Sequence, residues 1–351
     1  MQRPTGTASA SNQSMKPLFH PELVNGQWGD PALYIECLFE RRALLFDLGD
    51  LHALAPRKML RLSHVFVSHT HMDHFMGFDQ LLRVCLGRER KLCMYGPANF
   101  IAQVESKLAG YTWNLVHNYA ANFTIEVNEY HQDQTLKRAR FCCQQRFARQ
   151  DLPAAKVSDG ILLEEPAFVI RATHFDHKIP TLGFALQENQ HVNIWKNRLQ
   201  EMQLPTGPWL KELKAAIQRG APDSEPFRAW WHSTEGTQER WFTIGELKSR
   251  ILRIVPGQKI AYATDLVFHE ANKQHVIQLA QGADMFYIEA TFVHEDMEHA
   301  TDTYHLTARQ AGVLARVAQV KNMRTFHFSP RYGDNAERFE EEALRAFRGL
   351  D

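Results

Sequence analysis

Short apolar runs of strand length alternate with segments of helical periodicity along most of the chain. Residues 43–46 are apolar and end at Asp47-Leu48-Gly49, which is typical of a strand that closes in a turn. Apolar residues at spacings of three and four predict a helix over residues 75–86. Alternation of this kind predicts a layered α/β fold. Further strands are expected near residues 61–68, 91–95, 122–131, 139–148, 161–172, 181–187, 258–264, 284–290 and 324–328, and further helices near residues 96–108, 271–281 and 307–320.

One region interrupts this pattern. Residues 187–257 are polar and rich in Trp, Pro and Gly, with an amphipathic piece near residues 209–217. We expect an insertion or arm that projects from the core, and a plain surface elaboration and a substrate-binding role are both open. The remainder of residues 18–351 is expected to form a single domain. Residues 1–17 are expected to be a disordered tail, because the start of the chain has no apolar core.

Composition narrows the class of protein. The chain of 351 residues is 44% hydrophobic and 23% charged, which is typical of a soluble globular protein with a large core. No apolar run is long enough to span a bilayer, so no membrane partner is expected. Lys plus Arg and Asp plus Glu are 40 each, so any contact with RNA must depend on local charge. The five cysteines form no CxxC pair, and this favours the reducing cytoplasm.

The strongest chemical signal lies at residues 69–74, directly after an apolar run. Three histidines and one aspartate occur there within six residues. Imidazole and carboxylate are ligands that zinc, manganese and iron share. In an extended segment His69, His71 and Asp73 would share one face, and His74 would point away. The segment is therefore predicted to offer two groups of ligands to two adjacent metal ions.

More ligand-type residues follow strands further along the chain. His174 and His177 come after one predicted strand, Asp265 after another, and His327 after a third. Taken alone, each such residue is more often a hydrogen-bonded structural residue than a ligand. Ligands that converge from several strand ends, however, are what a site at one edge of a sheet requires.

These residues and their contexts resemble the metallo-β-lactamase superfamily, and in detail its ribonuclease Z branch. The resemblance runs from about residue 43 to residue 332, whereas the family's Gly-rich N-terminal motif with an Arg-Asn pair is not evident in residues 24–31. The motifs that carry the resemblance are Ser68-His69-Thr70-His71-Met72-Asp73-His74 with Gly77, His177-Lys178-Ile179-Pro180-Thr181-Leu182-Gly183-Phe184, Leu204-Pro205-Thr206-Gly207-Pro208, Ala263-Thr264-Asp265, Ile288-Glu289-Ala290-Thr291-Phe292, His305-Leu306-Thr307-Ala308-Arg309-Gln310-Ala311 and His327-Phe328-Ser329-Pro330-Arg331-Tyr332.

The resemblance implies a metallo-β-lactamase-type four-layer αββα sandwich with an inserted arm, and two divalent metal ions. Zinc is expected, with manganese or iron as alternatives. The family pattern implies that the first ion is held by His69, His71 and His177, the second by Asp73, His74 and His327, and that Asp265 bridges the two. His177 is preferred to His174 because Pro180 and Gly183 match the motif around it.

The resemblance also implies the chemistry. Two such ions about 3.5–4 Å apart would share a water, lower its pKa and direct the resulting hydroxide at phosphorus. Asp73 is expected to act both as a ligand and as a catalytic residue. His305 is expected to face the scissile phosphate and to donate a proton to the leaving oxygen, and Glu289 is expected to orient His305.

Three functions follow from this pattern. The first is a ribonuclease Z-like endoribonuclease that acts on RNA, including tRNA 3′ ends, by attack of metal-activated hydroxide. The second uses the same site on a small phosphodiester, a cyclic nucleotide or another ester. The third is a redox protein related to flavodiiron proteins, but that class usually has Glu at the position of His71 and carries a flavin domain for which the chain has no room. Whether the chain forms a homodimer is left open.

Overall fold

The structure is a computed structural model that describes residues 17–38, 40–234, 236–333 and 335–350. The tail predicted for residues 1–17 lies outside the described residues, except for residue 17. Two large β-sheets, of eight and six strands, form the centre of the molecule.

The N-terminal half of the chain forms the first sheet, in which the strands lie side by side in chain order. Its strands are β1 (Phe19–Leu23), β2 (Leu33–Cys37), β3 (Arg42–Phe46), β4 (Leu62–Phe66), β5 (Arg90–Gly96), β6 (Phe123–Tyr130), β7 (Thr135–Cys142) and β8 (Arg149–Lys156). The helices of this half are α1 (Pro56–Met59), α2 (Met72–Phe75), α3 (Phe78–Cys85) and α4 (Phe100–Ala109). Strands β3 to β6 are parallel, so their C-terminal ends meet at one edge of the sheet.

The C-terminal half supplies the second sheet and the predicted arm. Its strands are β9 (Ile161–Glu164), β10 (Phe168–Asp176), β11 (Pro180–Glu188), β12 (Gln190–Ile194), β13 (Pro226–Ser233), β14 (Gly236–Thr243), β15 (Leu252–Pro256), β16 (Lys259–Ala263), β17 (Met285–Glu289) and β18 (Met323–Phe326). Its helices are α5 (Lys196–Glu201), α6 (Trp209–Gln218), α7 (Ile244–Ile251), α8 (Glu270–Ala280), α9 (Met297–Asp302), α10 (Ala308–Val317) and α11 (Ala336–Arg348). The second sheet has the order β18-β17-β16-β11-β10-β9, and β16, β17 and β18 are parallel. No helix within the described ranges combines the length and the apolarity that crossing a bilayer requires.

Alternation along the central strands builds the layers. In β4, Val65 packs in a cluster with side chains of α3 and α4, whereas Phe66 packs between the two sheets. In β16, Tyr262 packs between the sheets, whereas Ala261 packs with side chains of α8 and α10. Because successive side chains of a strand face opposite sides, each sheet packs against the other sheet with one face and against helices with its other face. The fold is the predicted four-layer αββα sandwich.

The region predicted as an arm has a small apolar core of its own. Strand β12 pairs with β15, and β13 pairs with β14 in a hairpin. Trp209 of α6 is completely buried in this core together with Leu247 of α7. Helix α7 begins at a capping box in which Thr243 and Glu246 satisfy each other's backbone N–H groups.

Two strand predictions were wrong in their bounds. The strand expected at residues 139–148 ends at Cys142, because Arg146 and Phe147 adopt left-handed backbone conformations with φ of 56° and 53°. The strand expected at residues 161–172 is divided into β9 and β10 by a turn in which the N–H of Phe168 donates to the carbonyl of Glu165 at 3.2 Å.

The helix predicted at residues 75–86 is α3, which begins at Phe78, and Gly77 separates it from α2, a short helix that was not predicted. A Cβ atom at Gly77 would lie 2.1 Å from the carbonyl oxygen of Gly49, so glycine alone permits this approach of two backbone segments. The N–H of Gly77 donates to the carbonyl of Leu48 at 2.9 Å, and the N–H of Leu48 donates to the carbonyl of His74 at 2.9 Å. The turn after β3 therefore fixes α2, which carries two of the predicted ligands.

Candidate metal centre

The seven predicted ligands come from four chain segments that end at the same edge of the two sheets. The first segment is the loop after β4, with His69 and His71, together with α2, with Asp73 and His74. The other three supply His177 between β10 and β11, Asp265 after β16 and His327 after β18. Asp265 and His327 adopt left-handed backbone conformations, with φ of 51° and 64°. Such conformations cost about 1–3 kcal/mol for residues other than glycine and cluster at functional sites. Both side chains are thereby turned from the strand direction toward the centre.

The first group of side chains surrounds one oxygen of Asp265. Nε2 of His69 and Nε2 of His177 each lie 3.4 Å from Oδ2 of Asp265. The ring of His71 lies 4.4 Å from that of His69, centroid to centroid. One ligand atom from each of the four residues lies within 4.8 Å of those of the others. Two ligands on a tetrahedral zinc ion at about 2.0–2.1 Å are roughly 3.3 Å apart, so this spacing suits a shared ion.

The second group surrounds the other oxygen of Asp265. Nε2 of His74 and Nδ1 of His327 lie 3.4 Å and 3.2 Å from Oδ1 of Asp265. Oδ2 of Asp73 lies 3.4 Å from Nε2 of His74 and 3.2 Å from Nε2 of His327. The two carboxylate oxygens of Asp265 therefore face different ligand groups, which is the geometry that a bridging carboxylate needs.

The chemistry of these donors fits metal ions. Nε2 of His69, Nε2 of His74 and Nδ1 of His327 are buried and have no hydrogen-bond partner among the described residues. Buried polar atoms without partners are rare because they are costly, and one cation in each ligand group would satisfy all three. Burial lowers the pKa of His69 well below its usual value, which keeps the imidazole neutral and its lone pair free. Although burial raises the pKa of Asp265, the charges of His74 and His327 hold it well below its usual range, so that carboxylate is ionised.

A buried carboxylate outside the predicted ligand set supports the centre. Asp47 is completely buried, and its Oδ2 lies 2.9 Å from Nδ1 of His74. The hydroxyls of Tyr262 and Ser68 donate to Oδ2 of Asp47 at 2.7 Å and 2.9 Å, and the N–H of Ser68 donates to Oδ1 at 2.6 Å. Because Nδ1–H of His74 donates to Asp47, Nε2 is left to face the metal site. In the sequence, the position of Asp47 at the end of a predicted strand is the one signal that points to it.

His177 and His174 differ clearly in their surroundings. Nδ1 of His177 donates to the carbonyl of Tyr304 at 2.8 Å, which turns Nε2 toward Asp265. The ring of His174 instead stacks on Tyr130, with centroids 4.7 Å apart and an angle of 28° between the planes. Within the described residues, His174 belongs to none of the groups whose geometry suits a metal ion.

His305 and Glu289 form a pair beside the centre. Nδ1 of His305 donates to Oε2 of Glu289 at 2.9 Å, and Glu289 is completely buried. The N–H of Leu266 donates to the other carboxylate oxygen of Glu289 at 2.9 Å. The ring of His305 lies 4.9 Å from that of His177 and 5.6 Å from that of His327, centroid to centroid. Glu289 therefore holds the ring so that its Nε2 is left for another partner at the centre.

A cavity of about 410 Å³ opens onto the centre and contains two residues that sequence analysis did not assign. Trp28 and Asp30 line it, and both come from residues 24–31, where the family's N-terminal motif is not evident. The ring of Trp28 packs edge-on against Phe328 at 5.2 Å, which holds it in the wall. Burial, followed by the charge of Asp73, raises the pKa of Asp30.

The chain is similar to known proteins both in sequence and in structure. No protein-family model matches the chain. The ribonuclease Z of Deinococcus radiodurans is 29% identical over 310 residues, covering 88% of this chain and 87% of the relative. The ribonuclease Z of Brevibacillus brevis is 28% identical over 310 residues, covering 86% of this chain and 80% of the relative.

Solved structures show the same fold at low sequence identity. Human tRNase Z, short form, superposes with a TM-score of 0.50 at 16% identity, over 90% of this chain and 92% of the other. The metallo-β-lactamase fold protein YhfI from Bacillus subtilis superposes with a TM-score of 0.52 at 14% identity, over 92% and 91%. Unliganded yeast PDE1 superposes with a TM-score of 0.51 at 8% identity, over 95% and 96%. The chain is therefore similar to ribonuclease Z along most of its length, and its fold is that of metallo-β-lactamase fold proteins.

Proposed function

We propose that the protein is a dinuclear metal-dependent endoribonuclease that hydrolyses a phosphodiester in RNA, with the 3′ ends of precursor tRNA as its substrate. The observation that supports this most is the shared carboxylate of Asp265, whose two oxygens face two separate ligand groups. The pair of His305 and Glu289 lies beside both groups, where a leaving oxygen would need a proton. The relatives named ribonuclease Z support RNA as the substrate class.

Each group of side chains would hold one ion. The first would be bound by His69, His71 and His177, the second by Asp73, His74 and His327, and Asp265 would bind both. When bound, two divalent ions supply a water of lowered pKa and neutralise charge on the phosphoryl oxygens. Zinc is proposed as the resident ion, because histidine and carboxylate ligands suit it, and manganese and iron are the alternatives.

The chain's own residues would then bind and orient the phosphodiester. Asp73, whose side chain is 41% exposed, lies at the mouth of the 410 Å³ cavity and can contact both an ion and the substrate side. His305 would donate a proton from Nε2 to the leaving oxygen. Glu289 positions His305 by accepting from Nδ1, and the hydroxyl of Thr291 donates to the same carboxylate oxygen at 2.6 Å.

A second candidate function uses the same centre on a small phosphodiester or a cyclic nucleotide. The observation that favours it is the cavity wall formed by Trp28 and Asp30. An indole ring and a carboxyl group can enclose a nucleoside. A carboxylate beside Asp73 also adds negative charge where RNA, a polyanion, would have to enter, and this disfavours RNA relative to a small substrate. This wall comes from the stretch that departs from the ribonuclease Z pattern.

A panel of substrates tests the proposal and separates the two candidates. Purified, metal-loaded protein is incubated with precursor tRNA, short RNA, cyclic nucleotides and bis-p-nitrophenyl phosphate. Cleavage of precursor tRNA at its 3′ end that is abolished by Asp265→Asn, but retained by the exposed control Asp133→Asn, supports the first function. Hydrolysis of the small diesters without any RNA cleavage refutes it and supports the second.

Other parts of the proposal concern location and assembly. The five cysteines are free, which supports a reducing compartment such as the cytoplasm. Residues 187–257 are proposed to be an arm that holds the RNA body away from the cut. Whether the protein forms a homodimer is open, and sedimentation of the metal-loaded protein measures this directly.

A further inference from the structure

Two predicted ligands of the first ion come from loops that strand pairing leaves apart. His177 lies in the turn between β10 and β11, and Asp265 follows β16. Nε2 of His177 nevertheless lies 3.4 Å from Oδ2 of Asp265. Strand β11 lies between β10 and β16, and its pairing with β16 ends at Phe184 and Tyr262, short of both ligands. The separation of the two ligands therefore depends on contacts between the loops.

The side chain of Asn272 makes these contacts. Asn272 lies in the first turn of α8 and is 2% exposed. Its oxygen accepts from the N–H of Asp176 at 2.9 Å. Its Nδ2 donates to the carbonyl of Asp176 at 3.0 Å and to the carbonyl of Val267 at 2.9 Å. Because Asp176 directly precedes His177 and Val267 follows Asp265 by two positions, one buried amide joins the backbones of both loops.

The turn that carries His177 is closed by bonds of its own. The N–H of Lys178 donates to Oδ1 of Asp176 at 3.0 Å, and the N–H of His177 donates to the carbonyl of Ile179 at 3.3 Å. Lys178 adopts a left-handed backbone conformation with φ of 62°. Because these bonds lie within the turn, a displacement of Asp176 would carry His177 with it. The contact between Asp176 and Asn272 therefore fixes the position of the ligand.

Helix α8 provides a fixed base for Asn272. Nδ1 of His269 caps the helix by accepting from the N–H of Asn272 at 3.2 Å. The neutral ring therefore carries its proton on Nε2, which donates to Oδ2 of Asp176 at 3.2 Å. Further along the helix, Val276 is completely buried in the same apolar cluster as Ala261 of β16. The bridge is thus anchored to the sheet that carries both loops.

We propose that Asn272 is a positioning residue that sets the distance between His177 and Asp265 and thereby the affinity of the first ion. The inference rests on the metal centre of the proposed function, but it concerns metal binding and not cleavage. The first group takes both His177 and Asp265 from the joined loops, whereas the second group takes only Asp265 from them. Loss of the bridge is therefore expected to weaken the first ion more than the second.

Asn189 offers a matched control for a role in stability alone. Its Nδ2 also donates to two loop carbonyls, those of Glu165 at 3.2 Å and Pro166 at 3.1 Å. It follows β11 at the opposite end of that strand from the turn that carries His177. Both Asn189→Ala and Asn272→Ala are expected to lower the midpoint of chemical denaturation of the metal-free protein. Only Asn272→Ala is expected to change metal affinity.

Two backgrounds separate the two ions in the experiment. Asp73→Ala removes a ligand of the second group only, and His71→Ala removes a ligand of the first group only. The affinity of the remaining ion is measured in each background by competition with a chelator. Adding Asn272→Ala to Asp73→Ala is expected to weaken binding of the first ion by about 10–100-fold, the usual loss when a residue that orients a ligand is replaced. Adding it to His71→Ala is expected to leave binding of the second ion nearly unchanged.

The outcomes that overturn the proposal are specific. Equal losses in the two backgrounds, unchanged affinity for the first ion, or the same loss of affinity in Asn189→Ala would each do so. The absorption of cobalt(II) in the Asp73→Ala background gives a second readout, because its bands report the ligand geometry. These bands are expected to shift on Asn272→Ala and to stay in place on Asn189→Ala.

A conservative variant keeps the test valid if Asn272→Ala fails to fold. Asn272→Asp keeps the shape of the side chain and an acceptor for the N–H of Asp176, but as a carboxylate it loses both donated bonds. It is expected to weaken the first ion in the same way. An unaltered protein that binds two ions but cleaves no RNA refutes the proposed function and leaves this inference intact. Asn272 variants that bind both ions as tightly as the unaltered protein refute the inference and leave the proposed function intact.

Discussion

Replacing Asp47 by Asn tests whether a buried carboxylate that binds no metal controls the metal centre. Asp47 accepts four hydrogen bonds, from the N–H and hydroxyl of Ser68, Nδ1–H of His74 and the hydroxyl of Tyr262. Asparagine has nearly the same shape, and it tolerates the left-handed backbone that Asp47 adopts with φ of 59°. The substitution therefore removes charge and one acceptor without creating a cavity or new backbone strain.

The size of the effect follows from the bonding pattern. Oδ2 of Asp47 accepts from three groups and Oδ1 from the N–H of Ser68 at 2.6 Å. An amide that keeps its oxygen at the Oδ2 position turns its NH₂ group against the Ser68 N–H, and one donor is left unsatisfied. That costs about 1–3 kcal/mol of folding stability. The neutral amide oxygen is also a weaker acceptor than the carboxylate, so it holds His74 less firmly in the tautomer that has its proton on Nδ1. Weakening the hydrogen bond that orients a ligating histidine lowers metal affinity by about 10–100-fold.

Two measurements check this prediction. Competition with a chelator gives the metal affinity of each site, and chemical denaturation of the metal-free protein gives the free energy of unfolding. Asp133→Asn is the control, because the side chain of Asp133 is 67% exposed and far from this hydrogen-bond network in sequence. A folded Asp47→Asn protein that binds both ions as tightly as the unaltered protein would refute the reasoning.

Three further predictions follow from the centre and the arm. His305→Ala should retain both metal ions and lower kcat by roughly two to four orders of magnitude, because a proton donor is lost; loss of an ion in metal analysis would make His305 a ligand instead. His177→Ala should lower metal content, whereas His174→Ala should leave it unchanged, since only His177 faces Asp265; the reverse result would mean that the motif is aligned three residues late. Replacing residues 190–256 by a Gly/Ser linker should raise the KM for RNA strongly and leave hydrolysis of bis-p-nitrophenyl phosphate intact, because the arm contains no predicted ligand; parallel loss of both activities with normal metal content would make the arm part of the active-site wall.

The sequence by itself determined the features that depend on neighbours along the chain. The ligand cluster at residues 69–74 is visible because its side chains follow one strand directly, and the covalent chain keeps them together. The layered α/β fold was predicted for the same reason, since the period of apolar residues distinguishes strands from helices locally. Strand bounds failed where the backbone turned without a strong local signal, as at Arg146 and Phe147.

Only the tertiary structure decided which distant groups meet. From the sequence alone, Asp265 could have been paired with any strand-end histidine. Its two oxygens face separate ligand groups because the parallel strands of the second sheet place Asp265 opposite the ligands that follow the first sheet. The bond from His74 to Asp47 joins residues that are 27 positions apart. His174 lies only three residues before His177, yet its ring stacks on that of Tyr130. Local pattern carries no information about such contacts, because they are set by the packing of two sheets against each other and not by spacing along the chain.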